Sequence, residues 1–378
     1  MTIRKFEFYD KLRGWKLNEV SFGNFNLLVG LSGAGKTKIL NAFKSVSCAA
    51  IDKVYNDVNG CEWKLEVSNE NSIYSWEAEI SLNEENDRQA YFIREKIIRD
   101  GIEVVLRNEK EFIFINQALP KLKNTESAIT LLRDENIILP LYKALQYFIF
   151  SVIFSDKMTE DEKIFLALEN NIVAIIRDKY PTLESLKEAK IPLILKAYIL
   201  QEYYPQVFES VKEQYNEIFR TSDIRIGQSL KSKPKTISYD NVFTLFIGIK
   251  EIGIPDWIIA NQLSSGMIKT LFLLFELALT PSGSVIMIDD FENSMGQNCL
   301  PQLTDYILRY SNDIQFILTS HHPYVINNIP TKWWKIVTRK GSEVTVKDAD
   351  SIPALKTGSK LDKFTLLMNL KEYEEGIQ

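Results

Sequence analysis

The residues best suited to chemistry begin at Gly30-Leu31-Ser32-Gly33-Ala34-Gly35-Lys36-Thr37, which reads G-x-x-x-x-G-K-T. Glycines at this spacing let consecutive backbone N–H groups curl around a phosphate, and a helix starting at the lysine points its positive dipole end at the same anion. Lys36 would reach the β- and γ-phosphates and Thr37 would set its hydroxyl on Mg²⁺. Gly30, Ser32, Gly33, Ala34, Gly35 and Lys38 would complete the contacts. A loop that merely contains glycines would need neither the apolar run Leu27-Leu28-Val29 before it nor the helical pattern after it, and both are present. The motif implies a nucleoside triphosphate ligand.

A second group lies far along the chain, where Val285-Ile286-Met287-Ile288 ends in Asp289-Asp290. A buried strand delivering Asp289 to its carboxyl end would let that carboxylate orient a Mg²⁺ shell while Asp290 positions water against a γ-phosphate. A core strand ending in a solvated acidic turn is the plainer alternative, and the phosphate loop weighs against it. Further on, the strand pattern Ile314–Leu318 ends in Thr319-Ser320-His321-His322-Pro323. A histidine at such a terminus could hydrogen-bond the γ-phosphate or the attacking water, and His321 is favoured over His322. Ahead of the acidic pair, Ser264, Ser265 and Gly266 open the helical stretch Ile268–Leu279. Such a cap is commonplace alone; its position just before the acidic strand sets it apart.

These groups need a scaffold. The 378 residues are 45% apolar and 25% charged, the balance of a globular chain with room for two or three units. The three cysteines, Cys48, Cys61 and Cys299, are widely spaced and the only two histidines are adjacent, so a structural zinc site is not expected and free thiols suit a reducing cytosol. No apolar run approaches the roughly 20 residues of a membrane helix, and the start, Met1-Thr2-Ile3-Arg4-Lys5-Phe6, has no signal-peptide pattern. A net charge of -5 argues against a uniformly basic nucleic-acid coat and leaves a local basic groove open.

Short β-branched and aromatic runs after the first helix (about Lys36 to Val46) predict an antiparallel sheet, with Asp100-Gly101 as a hairpin turn. From Pro120 the apolar period changes to three and four, over Ile129–Leu139, Leu141–Phe154, Lys163–Ile176, Leu183–Leu200 and Val207–Phe219. Pro140, Pro181, Pro192 and Pro205 break this pattern, which predicts a compact helical lobe rather than one coiled coil. Lys231-Ser232-Lys233-Pro234-Lys235 reads as a solvated linker, with contact to a nucleic-acid backbone as the alternative. The expected fold is α/β. Residues 1–118 and 236–355 would form the two halves of an ATPase lobe, 119–235 a helical insert and 356–378 a C-terminal helix.

The ordered set G-x-x-x-x-G-K-T, L-S-S-G, four apolar residues then Asp-Asp, Glu292-Asn293-Ser294-Met295-Gly296 and T-S-H-H-P resembles the ABC-type ATPases of the RecF, chromosome-maintenance and overcoming-lysogenization-defect group. The resemblance implies an ABC-type P-loop NTPase head with an added antiparallel sheet and a compact helical insert, using ATP and Mg²⁺. In that family two heads sandwich two ATP molecules. It therefore implies that Ser264, Ser265 and Gly266 reach across a homodimer or higher oligomer, that Asn293 to Gly296 lie at the interface, and that His321 is the switch histidine. Gln117 would be the Mg²⁺- and water-sensing glutamine. Asp290 stands where the family has glutamate, and Ser32 where it often has asparagine.

Phe291 to Gly296 and Ser320 to Pro323 also resemble ATPases of bacterial antiphage systems such as Septu and the ATPase-plus-nuclease pairs. Fifty-seven residues follow His321 (378 − 321), including a hairpin about Gly341 and a helix from Lys360 to Tyr373, too few for a Toprim nuclease. A nuclease effector would be a separate chain. The resemblance thus implies a cytoplasmic ATP-hydrolysing sensor subunit of a defence complex, with nucleic acid as a further candidate partner and no membrane. A DNA repair or recombination ATPase and a nucleotide-dependent scaffold with little hydrolysis are the alternatives.

Overall fold

Apolar and charged residues alternate along the first third of the chain, so strands with one buried and one solvated face are the expected product. The computed structural model describes residues 1–51, 56–69, 71–81, 90–120, 122–151, 166–169, 172–229, 242–356, 363–374 and 376–377. The run Lys231–Lys235 lies outside them. The chain divides into two units, Met1–Ser151 with Gly283–Phe291 and Ser311–Gln378, and Val152–Ser282 with Glu292–Tyr310.

The strands are β1 (Thr2–Asp10), β2 (Trp15–Ser21), β3 (Phe25–Val29), β4 (Cys61–Asn69), β5 (Ser72–Ile80), β6 (Phe92–Arg99), β7 (Ile102–Arg107), β8 (Phe112–Phe114), β9 (Gln117–Ala118) and β10 (Phe148–Phe150). They continue as β11 (Leu166–Glu169), β12 (Thr221–Ser229), β13 (Val242–Glu251), β14 (Ile258–Ile259), β15 (Val285–Ile288), β16 (Gln315–Thr319), β17 (Trp334–Lys340) and β18 (Glu343–Asp348).

In the first unit, the described residues form a 14-stranded sheet in the order β10-β15-β16-β3-β17-β18-β2-β1-β4-β5-β6-β7-β8-β9. From β10 to β17 neighbouring strands are parallel, and from β1 to β9 they are antiparallel. The composition follows the difference. β3, β15 and β16 are buried at every position, as strands covered on both faces must be, whereas β4 alternates buried and half-buried residues. Asn26, the polar exception in β3, is buried with its amide donating to Gly23 O and Phe316 O. Helix α1 (Lys36–Ile51) packs on this sheet through Phe43, whose ring stacks on Phe6 at 4.1 Å and meets Phe22 edge-on at 5.3 Å. Burial of one such side chain contributes about 1.5–3 kcal/mol.

The antiparallel part is tied internally by one buried ion pair. Glu95 on β6 accepts from Arg107 on β7, from Trp76 Nε1 at 3.2 Å and from the Ala128 N–H at 2.9 Å. Arg107 also donates to Glu126 O at 2.9 Å and lies over the rings of Phe92 and Phe112. Burial pushes the Glu95 carboxyl up, against the pull of Arg107 and these donors. Ala128 opens helix α2 (Ala128–Leu131), whose cap Ser127 accepts from Thr130 N–H and donates to Ala50 O at 2.6 Å. The pair therefore joins sheet, α2 and α1. Arg107→Leu should cost about 3–5 kcal/mol in a urea unfolding midpoint analysis, because it strands a buried carboxyl. A loss below about 1 kcal/mol would contradict that role.

In the second unit β11, β13 and β12 pair antiparallel, with β14 added to β13. The helices Leu193–Tyr203 and Pro205–Phe219 share this unit with Ser265–Leu279 and Leu300–Tyr310. Phe208 stacks on Phe275 at 5.7 Å, and Tyr306 donates to Glu217. Residues 119–235 are thus not a purely helical insert. The helix α3 (Leu139–Leu145) stops early, Phe148–Phe150 join the parallel sheet beside β15, and Leu166–Glu169 form a strand. The C-terminal helix expected over Lys360 to Tyr373 is instead two short helices, Lys363–Met368 and Lys371–Glu374. Among the described residues, no helix is long and apolar enough to cross a membrane.

Candidate functional site

Parallel strands β10, β15, β16, β3 and β17 bring their carboxyl ends to one edge, where open α/β sheets bind ligands. At that edge β3 turns into the loop 30–35. Gly30 is required by close approach, since a Cβ there would meet Val337 O at 2.4 Å. Gly33 and Gly35 have φ +86° and +107°, a region that L side chains rarely adopt. Ala34 N–H donates to Leu31 O at 3.1 Å, closing the turn, and α1 begins at Lys36. The first N–H groups of a helix lie outside its own hydrogen-bond ladder, so a loop that leads into a helix start is suited to an anion.

Lys36 is only 5% exposed, and its ammonium donates to Gly30 O at 2.8 Å and Leu31 O at 3.0 Å. Those bonds hold the cation inside the loop. Thr37 and Lys38, by contrast, are exposed. Thr37 Oγ1 donates to Asp289 Oδ1 at 3.1 Å, across 252 positions of sequence. Thr319, at the end of β16, donates its hydroxyl to the same oxygen at 2.7 Å and receives the Asp290 N–H at 2.7 Å. β16 lies between β3 and β15, so Thr319 is the residue that can hold Asp289 toward Thr37. Asp290 itself has φ +46°, and the Phe291 N–H returns to Thr319 O at 3.0 Å.

The oxygens of Thr37 and Asp289 are hard donors, and their 3.1 Å separation fits adjacent positions on a Mg²⁺ octahedron, about 2.9 Å apart for bonds of about 2.05 Å. The donor set suits that ion. The glycine cradle likewise suits a phosphate. His321 is exposed just beyond β16. His322 is a helix cap: its Nδ1 accepts the Tyr324 N–H at 3.2 Å at the start of helix Pro323–Asn328.

Gln117 requires correction. It opens β9, the last strand at the far end of the order from β10, and pairs with Phe114 across a turn in which Ile115 and Asn116 have φ +48° and +61°. The chain turns back there instead of leaving for the second unit. The strand that does lead out is β10, followed by buried Ser151, whose N–H donates to Met287 O of β15 at 3.0 Å. The sequence offers two signals for Thr319, its place at the head of T-S-H-H-P and a hydroxyl that closes an apolar strand.

In the second unit, Ser264 caps helix Ser265–Leu279, its Oγ accepting the Met267 N–H at 3.2 Å. A Cβ at Gly266 would lie 3.2 Å from Gly296 N and 3.3 Å from Ser294 O, so glycine lets the 294–296 segment rest on the first turn. Lys269 Nζ donates to Asn293 O at 3.2 Å, fixing that packing. Ser264, Ser265 and Gly266 thus form one piece with Asn293 to Gly296.

Residues 166–327 match the family described as AAA domain, putative AbiEii toxin, Type IV TA system. The match spans less than half of the chain. It contains Ser264, Asp289, Asp290 and His321, and the phosphate loop precedes it. Curated proteins yield no match. Among solved structures, the chain is similar to an SmcHead bound to the C-winged helix domain of ScpA, at 14% identity and TM-score 0.45, covering 92% of this chain and 97% of that one. A Smc head domain bound to the C-terminal domain of ScpA from Pyrococcus furiosus matches at 15% identity and TM-score 0.44, covering 91% and 95%. The SMC head domain of Thermotoga maritima matches at 12% identity and TM-score 0.39, covering 92% and 99%.

Proposed function

We propose that this chain is an ATP-binding and ATP-hydrolysing ABC-type ATPase that assembles head to head on nucleotide. The observation that carries the reading is the convergence of Thr37, Asp289 and Thr319 beside a glycine loop holding a buried lysine. Mg²⁺, held by Thr37 and Asp289, would supply charge neutralisation at the phosphates. Lys36 would move its ammonium from the loop carbonyls to the β- and γ-phosphates, and Asp290 would hold water and take its proton. His321 would bond the terminal phosphate from the end of β16.

The piece formed by Ser264 to Gly266 and Asn293 to Gly296 would act on a second copy, its helix N-terminus closing over the partner's terminal phosphate. Ser265→Arg should leave ATP binding to each chain intact and lower hydrolysis about tenfold or more, since a cation there opposes the helix dipole and blocks closure. Phosphate release and light scattering with ATP check this. Mixing Ser265→Arg with Lys36→Ala should restore at most one working site per dimer, and full activity of Ser265→Arg alone would contradict a role in trans.

The biological role we propose is that of a sensor or regulatory subunit of a bacterial antiphage complex, working with a separate effector, a nuclease. What supports this reading is the family matched by residues 166–327, described as an AAA domain, putative AbiEii toxin, Type IV TA system. Co-purification with the products of neighbouring genes tests it: a nuclease in the complex is expected, and a chain that purifies alone would contradict it. A nucleotide-gated scaffold with little hydrolysis is favoured by one observation, the short Asp290 carboxylate on a left-handed backbone.

A further inference from the structure

β3 and β17 run side by side only as far as the loop. Leu27, Leu28 and Val29 pair with Trp334, Lys335 and Ile336; β3 then leaves the sheet at Gly30, while β17 continues to Lys340. The edge that β3 gives up is taken by a distant segment. Arg339 N–H donates to Gly376 O at 2.7 Å, and Arg339 forms a parallel bridge with Ile377. The preceding helix Lys371–Glu374 anchors this segment through buried Tyr373.

Both partners in that bridge reach the tip of the phosphate loop. Ile377 Cδ1 lies 3.4 Å from where a Cβ on Gly33 would stand. The Arg339 guanidinium donates through Nε to Gly341 O and through Nη1 to Gly33 O at 3.4 Å. The same peptide is held from its other side, because the Ala34 N–H donates to Leu31 O. Gly33 has no side chain to restrain it and sits at φ +86°, so the orientation of this peptide depends on such outside contacts.

We infer that Arg339 and the segment Gly376–Ile377 brace the tip of the phosphate loop, so that docking of this segment on β17 sets the affinity for nucleotide. The inference rests on the ATP-binding reading above. A braced loop presents its N–H donors already ordered, whereas a freed one loses conformational entropy when the phosphate binds. The coupling is reciprocal: nucleotide that favours the ordered loop also strengthens docking of the segment. Arg339 is a positioning residue here, acting through the Gly33 carbonyl.

The test compares the wild-type chain with Ile377→Asp, Arg339→Ala and Arg339→Lys. Ile377 is 46% exposed, so its replacement leaves the core intact. Calorimetric titration with ATP and Mg²⁺ should give dissociation constants about three- to tenfold weaker for Ile377→Asp and Arg339→Ala, with Arg339→Lys between them and the wild type. The nucleotide-free melting temperature should stay within about 2 °C of wild type, since an exposed contact contributes little to global stability. In the wild type, hydrogen exchange at the Arg339 amide should slow when ATP is added. Wild-type affinity in Ile377→Asp and Arg339→Ala, or exchange at Arg339 indifferent to ATP, would overturn the brace and leave the site reading standing. A wild-type chain that binds no ATP would overturn the site reading itself, and the brace with it.

Discussion

Lys36→Ala is expected to weaken ATP binding about a hundredfold or more. The ammonium is buried in the loop and held by two carbonyls, Gly30 O and Leu31 O, so it is aimed before nucleotide arrives. Against a phosphate at about 4 Å, a unit charge is worth about 4 kcal/mol at an effective dielectric constant of 20. Even after the bonds to the loop carbonyls are given up, about 2.7 kcal/mol remains, the equivalent of a hundredfold in affinity. Thr37 and Lys38 are exposed and do not occupy the same position. Calorimetry reads the affinity, and circular dichroism confirms that the variant is folded. An unchanged dissociation constant would contradict the phosphate-loop assignment.

Asp290→Asn is expected to slow hydrolysis about tenfold or more while ATP affinity stays within about twofold. Asparagine keeps the size of the side chain and accepts the left-handed backbone at φ +46° as readily as aspartate does, so Thr319 can still receive the residue's N–H. Lost is the negative charge that would hold water and accept its proton, a contribution of about 10²–10⁴ in general-base catalysis. Asp289 and Thr37, which would hold the ion and nucleotide, are untouched, so the variant should collect in the ATP-bound assembly. Phosphate release measured with light scattering separates the two effects. Hydrolysis equal to wild type, with no ATP-dependent rise in mass, would move suspicion to Glu292.

The left-handed backbone also bears on why aspartate stands at this position. From the sequence, Asp290 is simply one methylene shorter than the glutamate of the resembling family. In the structure its φ is one that aspartate and asparagine tolerate and longer side chains adopt less readily. Sequence spelling does not carry that, because the strain arises just beyond β15, where Thr319 captures the Asp290 N–H.

What was legible in the sequence is what local chemistry dictates. The loop 30–37 announces itself because its glycines, lysine and threonine are each demanded by a phosphate, and β3 and β15 because a strand covered on both faces is apolar throughout. The Asp100-Gly101 hairpin was legible because a two-residue turn needs positive φ at both positions, here +50° and +82°. β10 was not legible: Phe148-Ile149-Phe150 continues an apolar helical period, and only pairing with the distant β15 makes it a strand. The error at Gln117 has the same origin. Gln117 stands just ahead of residues 119–235, but the chain forms a hairpin there, then two short helices and β10, before it leaves the first unit at Ser151. Arg339 likewise owes its position to neighbouring segments rather than to any motif, and Thr319, although it opens T-S-H-H-P, owes its contact with Asp289 to the neighbouring β15.

The most direct test of the account is an equilibrium titration of the wild-type chain with ATP, with Mg²⁺ present and with Mg²⁺ removed by chelation. The arrangement of Lys36, Thr37 and Asp289 predicts saturable binding of one ATP per chain, weaker by about tenfold or more without the ion, because Thr37 and Asp289 then face the phosphates with no cation between them. No saturable binding at millimolar ATP, or binding of equal strength with and without Mg²⁺, would contradict it.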